Sequence, residues 1–291
     1  MPQTISPDSG APLSLTPAAV ELLDYVDDGE ATRRYRFRLR DPEAMEVPEP
    51  GQFFMLSVPG AGEAPFTYTS VPDGDGVFGG LVRRVGAVTA ALFDCRPGAV
   101  LGVRGPFGRG WPLAELAGRR VLVVAGGCGL APLVCLIEQL IDERWCRELA
   151  LVYGARQRSL QMLNDSRRRW REKISLFDTL DSAGPEALDG ALQGTPLVLM
   201  DDILQGLGWF PEQLLLCGPE VMMNGLAAFF VERGLPGDSI WLSIERRMHC
   251  AVGLCGHCYL TQHHLSHHYT CKDGPTYRWD TLQPIVEAPG L

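Results

Sequence analysis

Short runs of alternating apolar and polar residues fill the chain from about residue 19 to residue 115. Examples are TRRYRFRLRD, GQFFMLSVPG and AVLGVRGPFG, with Gly and Pro residues between them. Alternation with a period of two is typical of strands with one buried face, and frequent turn residues indicate antiparallel neighbours. Residues 19–115 are therefore predicted to form a small antiparallel β-barrel.

The pattern changes near residue 116, where continuous apolar runs replace the alternation. These runs are VLVVA, LALVY, ISLFDTL, PLVLM, QLLLCG and SIWLSIE, and the amphipathic stretches PLVCLIEQLIDERW and SLQMLNDSRRRWREKI separate the first three. Apolar strands that alternate with helices predict a parallel-sheet α/β domain, here over residues 116–244. Residues 1–18 are predicted to be a loose lead-in, and residues 245–291 a small C-terminal lobe.

Charge and length narrow the classes of function. The chain has 291 residues and a formal net charge of −9, which disfavours a nucleic-acid partner because phosphate binding needs clustered Lys and Arg. Its first residues do not read as a secretory signal, and no apolar run is long enough for a membrane span. Nine cysteines without such a signal fit a reducing compartment, so a cytoplasmic protein is expected.

Four of the cysteines are close together near the C-terminus. Cys250, Cys255 and Cys258 read C-x4-C-x2-C, and twelve residues separate the third from Cys271. This spacing is typical of a plant-type [2Fe–2S] cluster, in which four thiolates hold two irons. Zinc, a disulfide arrangement or chance are the alternatives. Gly253 and Gly256 stand between the ligands, where the backbone must approach the cluster closely.

Two Gly-rich turns follow predicted strands of the α/β domain. The first is GGCGLAP, in which Gly127, Gly129 and Pro132 would shape a turn that receives a pyrophosphate at a helix N-terminus. The second is CGPEVMM, which would place Cys217, Gly218 and Pro219 beside a ligand at the carboxyl ends of the strands. Plain strand–turn–helix corners are the alternative interpretation of both.

Two motifs in the predicted barrel contain hydroxyl and basic side chains. The stretch APFTYTSVPDG alternates hydroxyls with aromatic rings, which could stack on a planar ligand. About fifteen residues later, LVRRVGAVTAAL brings a pair of arginines before a helix start that could receive a phosphate. Barrel strands and surface arginines would explain both motifs equally well.

In this order, the motifs resemble the ferredoxin-NADP reductase superfamily over nearly the whole chain. The tail, SIERRMHCAVGLCGHCYL followed by TCKDGPTYRWDTL, is similar to the gamma subunits of cytosolic [NiFe] hydrogenases and sulfhydrogenases. The electron-transfer subunits of dihydroorotate dehydrogenase and anaerobic sulfite reductase are relatives. The chain departs from the superfamily's flavin motif at Ala64 and Phe66.

This resemblance implies an FAD-binding barrel, an NAD(P)-binding domain and a [2Fe–2S] lobe in one diaphorase subunit. Such a subunit works with the iron–sulfur and catalytic subunits of a larger redox complex. The residues implied to bind FAD are Pro65, Phe66, Thr67, Tyr68, Thr69, Ser70, Arg83, Gly86, Val88 and Thr89. Those implied for NAD(P) are Gly127, Gly129, Pro132, Arg156, Cys217, Gly218 and Pro219, with Cys217 as the candidate catalytic residue. Arg156 and Arg158 could favour NADP through its 2′-phosphate.

Two other classes of function stay open. One is a stand-alone oxygenase reductase, although only about 45 residues follow Ile244, too few for a separate ferredoxin domain. The other is a non-catalytic subunit with vestigial nucleotide sites, which the departures at Ala64 and Phe66 keep open. The run Arg167–Arg169 is expected to be a solvated helix face, with a site for a ligand phosphate as the alternative. The segment HHLSHH is expected to be a solvated loop, with a partner contact or an adventitious metal site as the alternatives.

Overall fold

The structure, a computed structural model, describes residues 15–182, 190–260 and 268–282. The first six strands are β1 (Ala18–Asp27), β2 (Thr32–Leu39), β3 (Phe53–Val58), β4 (Gly62–Ser70), β5 (Val77–Arg83) and β6 (Val100–Phe107). Helix α1 (Ala87–Asp94) lies between β5 and β6. Every neighbouring pair is antiparallel, and the order β1-β2-β5-β4-β3-β6 closes into a barrel, which confirms the prediction.

The barrel closes because each strand alternates between an inner and an outer face. Inward side chains include Val20, Phe37, Phe54 and Val103, which form one buried apolar cluster. Closed pairing leaves no free sheet edge in the barrel, and the hydrophobic interior supplies the driving force for folding. The outer face of the barrel is therefore free to hold other parts of the molecule.

The second sheet has seven strands in the order β10-β9-β8-β7-β11-β12-β13. They are β7 (Arg120–Gly126), β8 (Glu148–Ala155), β9 (Ser175–Leu180), β10 (Leu192–Gln193), β11 (Gln213–Cys217), β12 (Ile240–Ser243) and β13 (Thr276–Arg278). The first six in this order run parallel, as predicted, while β13 comes from the C-terminal segment and pairs antiparallel with β12. The lobe after residue 244 is thus joined to the sheet edge.

Helices cover both faces of this sheet, which has a buried apolar cluster on each side. The helices of this part of the chain are α2 (Leu113–Leu116), α3 (Val134–Asp142), α4 (Asn164–Arg171), α5 (Met200–Leu207), α6 (Glu220–Glu232), α7 (Thr270–Asp273) and α8 (Trp279–Leu282), of which α7 belongs to the cluster lobe. Short 3-10 turns occupy Pro42–Ala44, Gly127–Leu133, Arg158–Leu160 and Gly237–Ser239. Across the described ranges, none of these helices has the length and apolar character that crossing a membrane requires.

One predicted strand is wrong. The run PLVLM forms a turn that leads into α5 rather than a strand. Pro196 and Leu197 instead cross the carboxyl end of β8, where a Cβ atom on Gly154 would lie 2.7 Å from the Pro196 ring. The run is apolar because it covers strand ends, which a pattern of hydrophobicity cannot distinguish from a buried strand.

Candidate functional site

The chain changes direction across the sheet between β7 and β11, which lie side by side although three strands separate them in sequence. In open α/β sheets, ligands bind at this switch point, outside the carboxyl ends of the strands. A cleft of about 720 Å³ opens there. The predicted site residues that line it are Arg83, Gly127, Gly129, Arg156, Gly218 and Pro219.

Glycine at two positions lets the two strand ends meet. A Cβ atom on Gly129 would lie 2.4 Å from the carbonyl oxygen of Cys217, and one on Gly126 would lie 2.9 Å from the Met222 sulfur. Pro132 is buried outside the cleft lining, and its carbonyl accepts a 2.8 Å hydrogen bond from the Trp111 indole. The glycines of this turn therefore lie on the cleft, while its proline lies against the end of the barrel.

Cys217 does not line the cleft. Its side chain is fully buried, and burial raises the pKa of its thiol well above the usual range. Ser243, at the end of β12, is its hydrogen-bonding neighbour. The predicted catalytic cysteine thus lies directly behind the wall of the cleft as a neutral thiol.

Glu245 lines the cleft and was missing from the predicted site. Its side chain is exposed on the cleft, yet the concave wall partly desolvates the carboxyl group, which raises its pKa above the ordinary value of 4.5. The sequence could have predicted this position, because Glu245 follows the apolar run of β12. That strand pairs in parallel with β11, so both end at the same edge of the sheet. A carboxyl group there can hold a proton close to a bound ligand.

The predicted flavin motif lies on β4, and strand alternation divides its side chains between the two faces. Tyr68 points into the barrel, only 2% exposed, with its ring 4.7 Å from that of Phe54. Phe66 packs against the same core. The prediction that these two rings stack on a ligand is therefore wrong for Tyr68, whose ring is enclosed. Thr67 and Thr69 take the alternate positions and are half-buried.

In the turn after β5, which was predicted to bind a phosphate, one side chain forms hydrogen bonds within the turn itself. Thr89 is buried, and its hydroxyl accepts the backbone N–H groups of Val85 and Gly86, both at 2.9 Å. Val88 packs against the barrel core. The Thr89 side chain therefore holds the turn in shape, while Gly86 remains exposed at the start of α1.

The barrel motif and the cleft touch each other. The Cys135 thiol of α3 donates a 3.1 Å hydrogen bond to the carbonyl of Tyr68 on β4. Arg83, at the end of β5, extends into the cleft and hydrogen-bonds to Cys128 of the Gly-rich turn. Of the residues predicted for FAD, Arg83 is thus the one that lines the cleft, and the two predicted sites share a wall.

The other end of the cleft presents charges of both signs. Arg156 is exposed at the end of β8, and Asp181 follows the end of β9 in the same lining. The carbonyl of Arg156 accepts the backbone N–H of Ser182 at 3.0 Å, which holds the two strand ends together. A ribose hydroxyl suits the carboxylate, and a 2′-phosphate suits the guanidinium.

The four lobe cysteines form two pairs. Cys255 has Cys250 as a hydrogen-bonding neighbour, and Cys271 has Cys258. Backbone N–H groups point at the sulfurs: Leu254 and Gly253 donate to Cys250 and Cys271, each at 3.3 Å. Two thiols for each of two irons, with N–H groups directed at sulfur, fit a [2Fe–2S] cluster.

The surroundings of these thiols shift their pKa values in opposite directions. A backbone N–H group from His257 lowers the pKa of Cys255, whereas burial raises that of Cys271 to about 12. A bound cation would be needed to keep Cys271 as a thiolate. Within the described ranges, no three His, Cys, Asp or Glu side chains converge as the ligands of a single ion would.

Glycine in the cluster loop serves a backbone requirement. Gly253 and Gly256 both have a φ of +76°, in the left-handed region that a side chain disfavours. Cys255 and Leu254 are exposed between them, Leu254 by 78%. The rings of His249 and His257 pack edge to face beside them at 4.4 Å. His263, His264 and His267, from the predicted His-rich loop, lie outside the described residues.

Three protein-family models match the chain in succession. An oxidoreductase FAD-binding domain matches residues 20–111, and an oxidoreductase NAD-binding domain matches residues 123–228. The iron–sulfur cluster binding domain of dihydroorotate dehydrogenase B matches residues 245–283. These matches confirm the cofactor predictions of FAD, a nicotinamide nucleotide and an iron–sulfur cluster.

Two similar proteins align with most of the chain. Sulfhydrogenase 1 subunit gamma of Pyrococcus furiosus is 31% identical over 94% of this chain and 93% of its own length. The probable dihydroorotate dehydrogenase B electron transfer subunit of Methanocaldococcus jannaschii is 31% identical over 82% of each chain. A solved NADH-dependent reduced ferredoxin-NADP oxidoreductase has the same fold, with a TM-score of 0.72, 24% identity, and coverage of 96% of this chain and 94% of its own.

The succession of domains, the paired thiols and the full-length likeness point the same way, and the chain belongs to the family of FAD-, NAD- and iron–sulfur-binding electron-transfer subunits that includes sulfhydrogenase gamma and the dihydroorotate dehydrogenase B electron transfer subunit.

Proposed function

We propose that this chain is a diaphorase subunit, which moves electrons between NAD(P)H and a separate catalytic subunit, with a cytosolic [NiFe] hydrogenase as the first candidate. The proposal rests on one observation: the nucleotide cleft, the barrel strand with the predicted flavin motif and the cluster lobe lie next to one another. β4 contacts the nucleotide turn on one side, and the cluster lobe rests on β3 and β6 on the other. The cofactors that these sites hold would therefore lie in sequence, with the barrel in the middle.

When bound, the nicotinamide supplies a hydride, the flavin divides the electron pair, and the cluster carries single electrons. The chain's own residues bind and orient these groups. Thr67 and Thr69 present hydroxyls on the outer side of β4, and Gly127 and Gly129 leave room for a pyrophosphate. Glu245 lines the cleft and the buried Cys217 thiol lies behind its wall, so the Glu245 carboxyl group can hold a proton close to a bound ligand.

Arg156 supports NADP as the nucleotide, and Asp181 supports NAD. Arg156 is exposed on the cleft and could meet a 2′-phosphate, as could Arg158 two residues later. The ratio of kcat/KM for NADPH and NADH decides between them. Arg156→Ala should lower that ratio severalfold if the 2′-phosphate is recognised, and leave it unchanged if the arginine is only solvated.

The decisive experiment combines spectra with dye reduction. Protein purified without oxygen should be yellow-brown, should contain FAD and iron, and should reduce a one-electron dye with NADH or NADPH. Cys255→Ser should lose the cluster absorption and transfer to the partner, yet keep reduction of the flavin by NAD(P)H. A colourless protein without flavin would refute the proposal and favour a subunit with vestigial sites.

A second candidate follows from the dihydroorotate dehydrogenase B relatives, whose electron transfer subunits are also 31% identical. The cluster face would then serve a dihydroorotate-oxidising or sulfite-reducing subunit. Co-purification separates these candidates, because the partner's identity names the terminal reaction. Recovery of a hydrogenase supports the first candidate, and recovery of a dihydroorotate dehydrogenase supports the second.

A further inference from the structure

An ion pair between a buried arginine and a half-buried glutamate joins the barrel to the cluster lobe. Arg104 of β6 meets Glu63 of β4 through two nitrogens: Nε donates to Oε1 at 2.9 Å, and Nη2 pairs with Oε2. The remaining Nη1 donates to the carbonyl oxygen of Cys250 at 3.3 Å. One guanidinium therefore contacts both the barrel strand and the backbone of the first cluster cysteine.

We propose that the Arg104–Glu63 pair positions the cluster lobe on the outer face of the barrel and sets the charge that the cluster meets there. This inference rests on the proposed function, since it assumes that the four thiols hold an iron–sulfur cluster. Neither residue belongs to a cofactor-binding motif of the sequence. Their role would be to position and tune, without contact with a substrate.

The burial of Arg104 shows that the lobe covers it. Val103 points into the barrel core, so Arg104, the next residue of β6, faces outward, where a strand of a closed barrel would meet solvent. It is nevertheless only 7% exposed. The apolar cluster beside it joins Phe53, Met55 and Phe107 of the barrel to Ala251, Cys258 and Cys271 of the lobe.

The pair is held in its charged form. Burial alone would raise the pKa of Glu63, but hydrogen bonds from Arg104 and Ser57 outweigh it, and the pKa lies below the ordinary value of 4.5. Ser57 donates to Oε1 at 2.9 Å, so this carboxylate oxygen accepts from two donors. The pair therefore places a carboxylate and a guanidinium, of opposite charge, close to Cys250.

Strand geometry connects this pair to the predicted flavin site. Glu63 precedes Thr67 by four residues on β4, and because side chains alternate, both lie on the outer face. A rise of about 3.3 Å per residue separates them by about 13 Å. The pair therefore anchors the lobe to the same strand face that presents the hydroxyls predicted to bind the flavin.

An ion pair here carries a cost that a structural role alone does not require. Two desolvated charges often stabilise a fold no better than apolar side chains of the same volume, whereas loss of one partner is strongly destabilising. The net charge at an iron–sulfur site does, however, help to set its reduction potential. The pair places two opposite charges close to Cys250, so removal of either one changes that net charge.

The test is a redox titration of the cluster with a chemical reductant, followed by EPR, in the purified holoprotein. Glu63→Gln keeps a hydrogen-bond acceptor for Arg104 but leaves the guanidinium uncompensated, so the midpoint potential should rise. Arg104→Gln leaves the carboxylate uncompensated, so the potential should fall. Arg36→Gln is the control, because Arg36 forms an exposed pair with Asp24 on the same barrel and should change nothing.

Shifts of opposite sign support the inference, and wild-type potentials in both variants overturn it. If Arg104→Gln fails to fold or to hold the cluster, Glu63→Gln still decides, because it removes a charge without removing a side chain. A purely structural pair would speed cluster loss to a chelator in both variants without moving the potential in opposite directions. Failure of the proposed function is a separate outcome, seen as wild-type protein without flavin, because the chemical reductant needs no flavin.

Discussion

Gly129 determines how closely the Gly-rich turn after β7 can approach the end of β11. The nearest neighbours of a Cβ atom at this position would be backbone atoms, namely Cys217 O at 2.4 Å and Gly218 N at 2.7 Å. Backbone atoms cannot rotate away as the end of a flexible side chain can. The residue is therefore glycine for reasons of space, at the place where the two halves of the sheet meet.

Gly129→Ala should destabilise the protein by about 1–3 kcal/mol, the usual cost of overpacking, and should weaken nucleotide binding. Gly74→Ala is the matched control, since no atom lies within 4 Å of a Cβ atom there. Thermal unfolding and titration with NADPH measure the two effects. Equal unfolding temperatures for both variants would contradict the close approach.

Glu245 should make stability depend on pH in a defined direction. Desolvation raises its pKa above 4.5, so the folded state disfavours the charged form. The resulting penalty is full above the raised pKa and disappears below 4.5, because both states are then protonated. Glu245→Gln should therefore unfold at a higher temperature than wild type near pH 8, with no difference near pH 4.

A matched substitution, Glu43→Gln, removes an exposed carboxylate from the barrel instead. Its unfolding temperature should follow that of wild type across the same pH range. A Glu245→Gln variant that is less stable than wild type at pH 8 would show that the carboxylate is compensated rather than desolvated.

At the scale of elements, helix α4 contains three consecutive arginines with different surroundings. The expectation of a solvated face holds for Arg168 and Arg169 but is wrong for Arg167, which is 3% exposed. Arg167 pairs with the buried Asp178 of β9 and donates to the Met162 carbonyl at 2.9 Å. The helix thus ties the loop after β8 to the next strand.

Arg167→Met should cost about 3–5 kcal/mol, because it leaves the Asp178 carboxylate buried with one fewer cationic partner. Arg168→Met, on the solvent side of the same helix, should change stability by less than about 0.5 kcal/mol. Urea unfolding of the two variants gives the comparison. Similar midpoints would mean that Arg171, which also pairs with Asp178, compensates fully.

At the scale of the whole molecule, the barrel and the sheet domain are joined away from the cleft as well. Asp28, at the turn between β1 and β2, accepts the backbone N–H of Leu163 at 2.7 Å. Leu163 has a φ of +55°, a left-handed conformation that an L-residue adopts at a cost. The carboxylate thus holds a strained turn of the sheet domain against the barrel, close to the loop that carries Arg156.

Asp28→Ala should lower stability by about 1–3 kcal/mol, since it leaves a buried N–H group without its acceptor. The adjacent Asp27→Ala removes only a surface ion pair with Arg33 and should cost at most about 1 kcal/mol. Limited proteolysis after Arg156 and Arg158 should be faster in Asp28→Ala alone. Unchanged cleavage would mean that the hydrogen bond between Asp28 and Leu163 contributes little to holding the barrel against the sheet domain.

Period and spacing along the chain predicted the classes of structure. Alternation specified the barrel because a strand in a closed sheet must divide its side chains between core and surface. Apolar runs specified the parallel sheet, and the spacing of Cys250, Cys255 and Cys258 specified the cluster loop, because three ligands held in one short loop are a local property. The same rule wrongly predicted a strand for PLVLM, because an apolar run can also cover the ends of strands.

Tertiary structure decided what depends on residues far apart in sequence. It turned Tyr68 into the barrel, buried Cys217 behind the cleft wall, brought Glu245 into the cleft and paired Arg104 with Glu63, 41 residues away. No local pattern encodes these contacts, because burial and pairing at each site are set by elements that meet only when the sheet, the barrel and the lobe pack together. Motifs in the sequence therefore identified the cofactors, and packing determined which side chains can reach them.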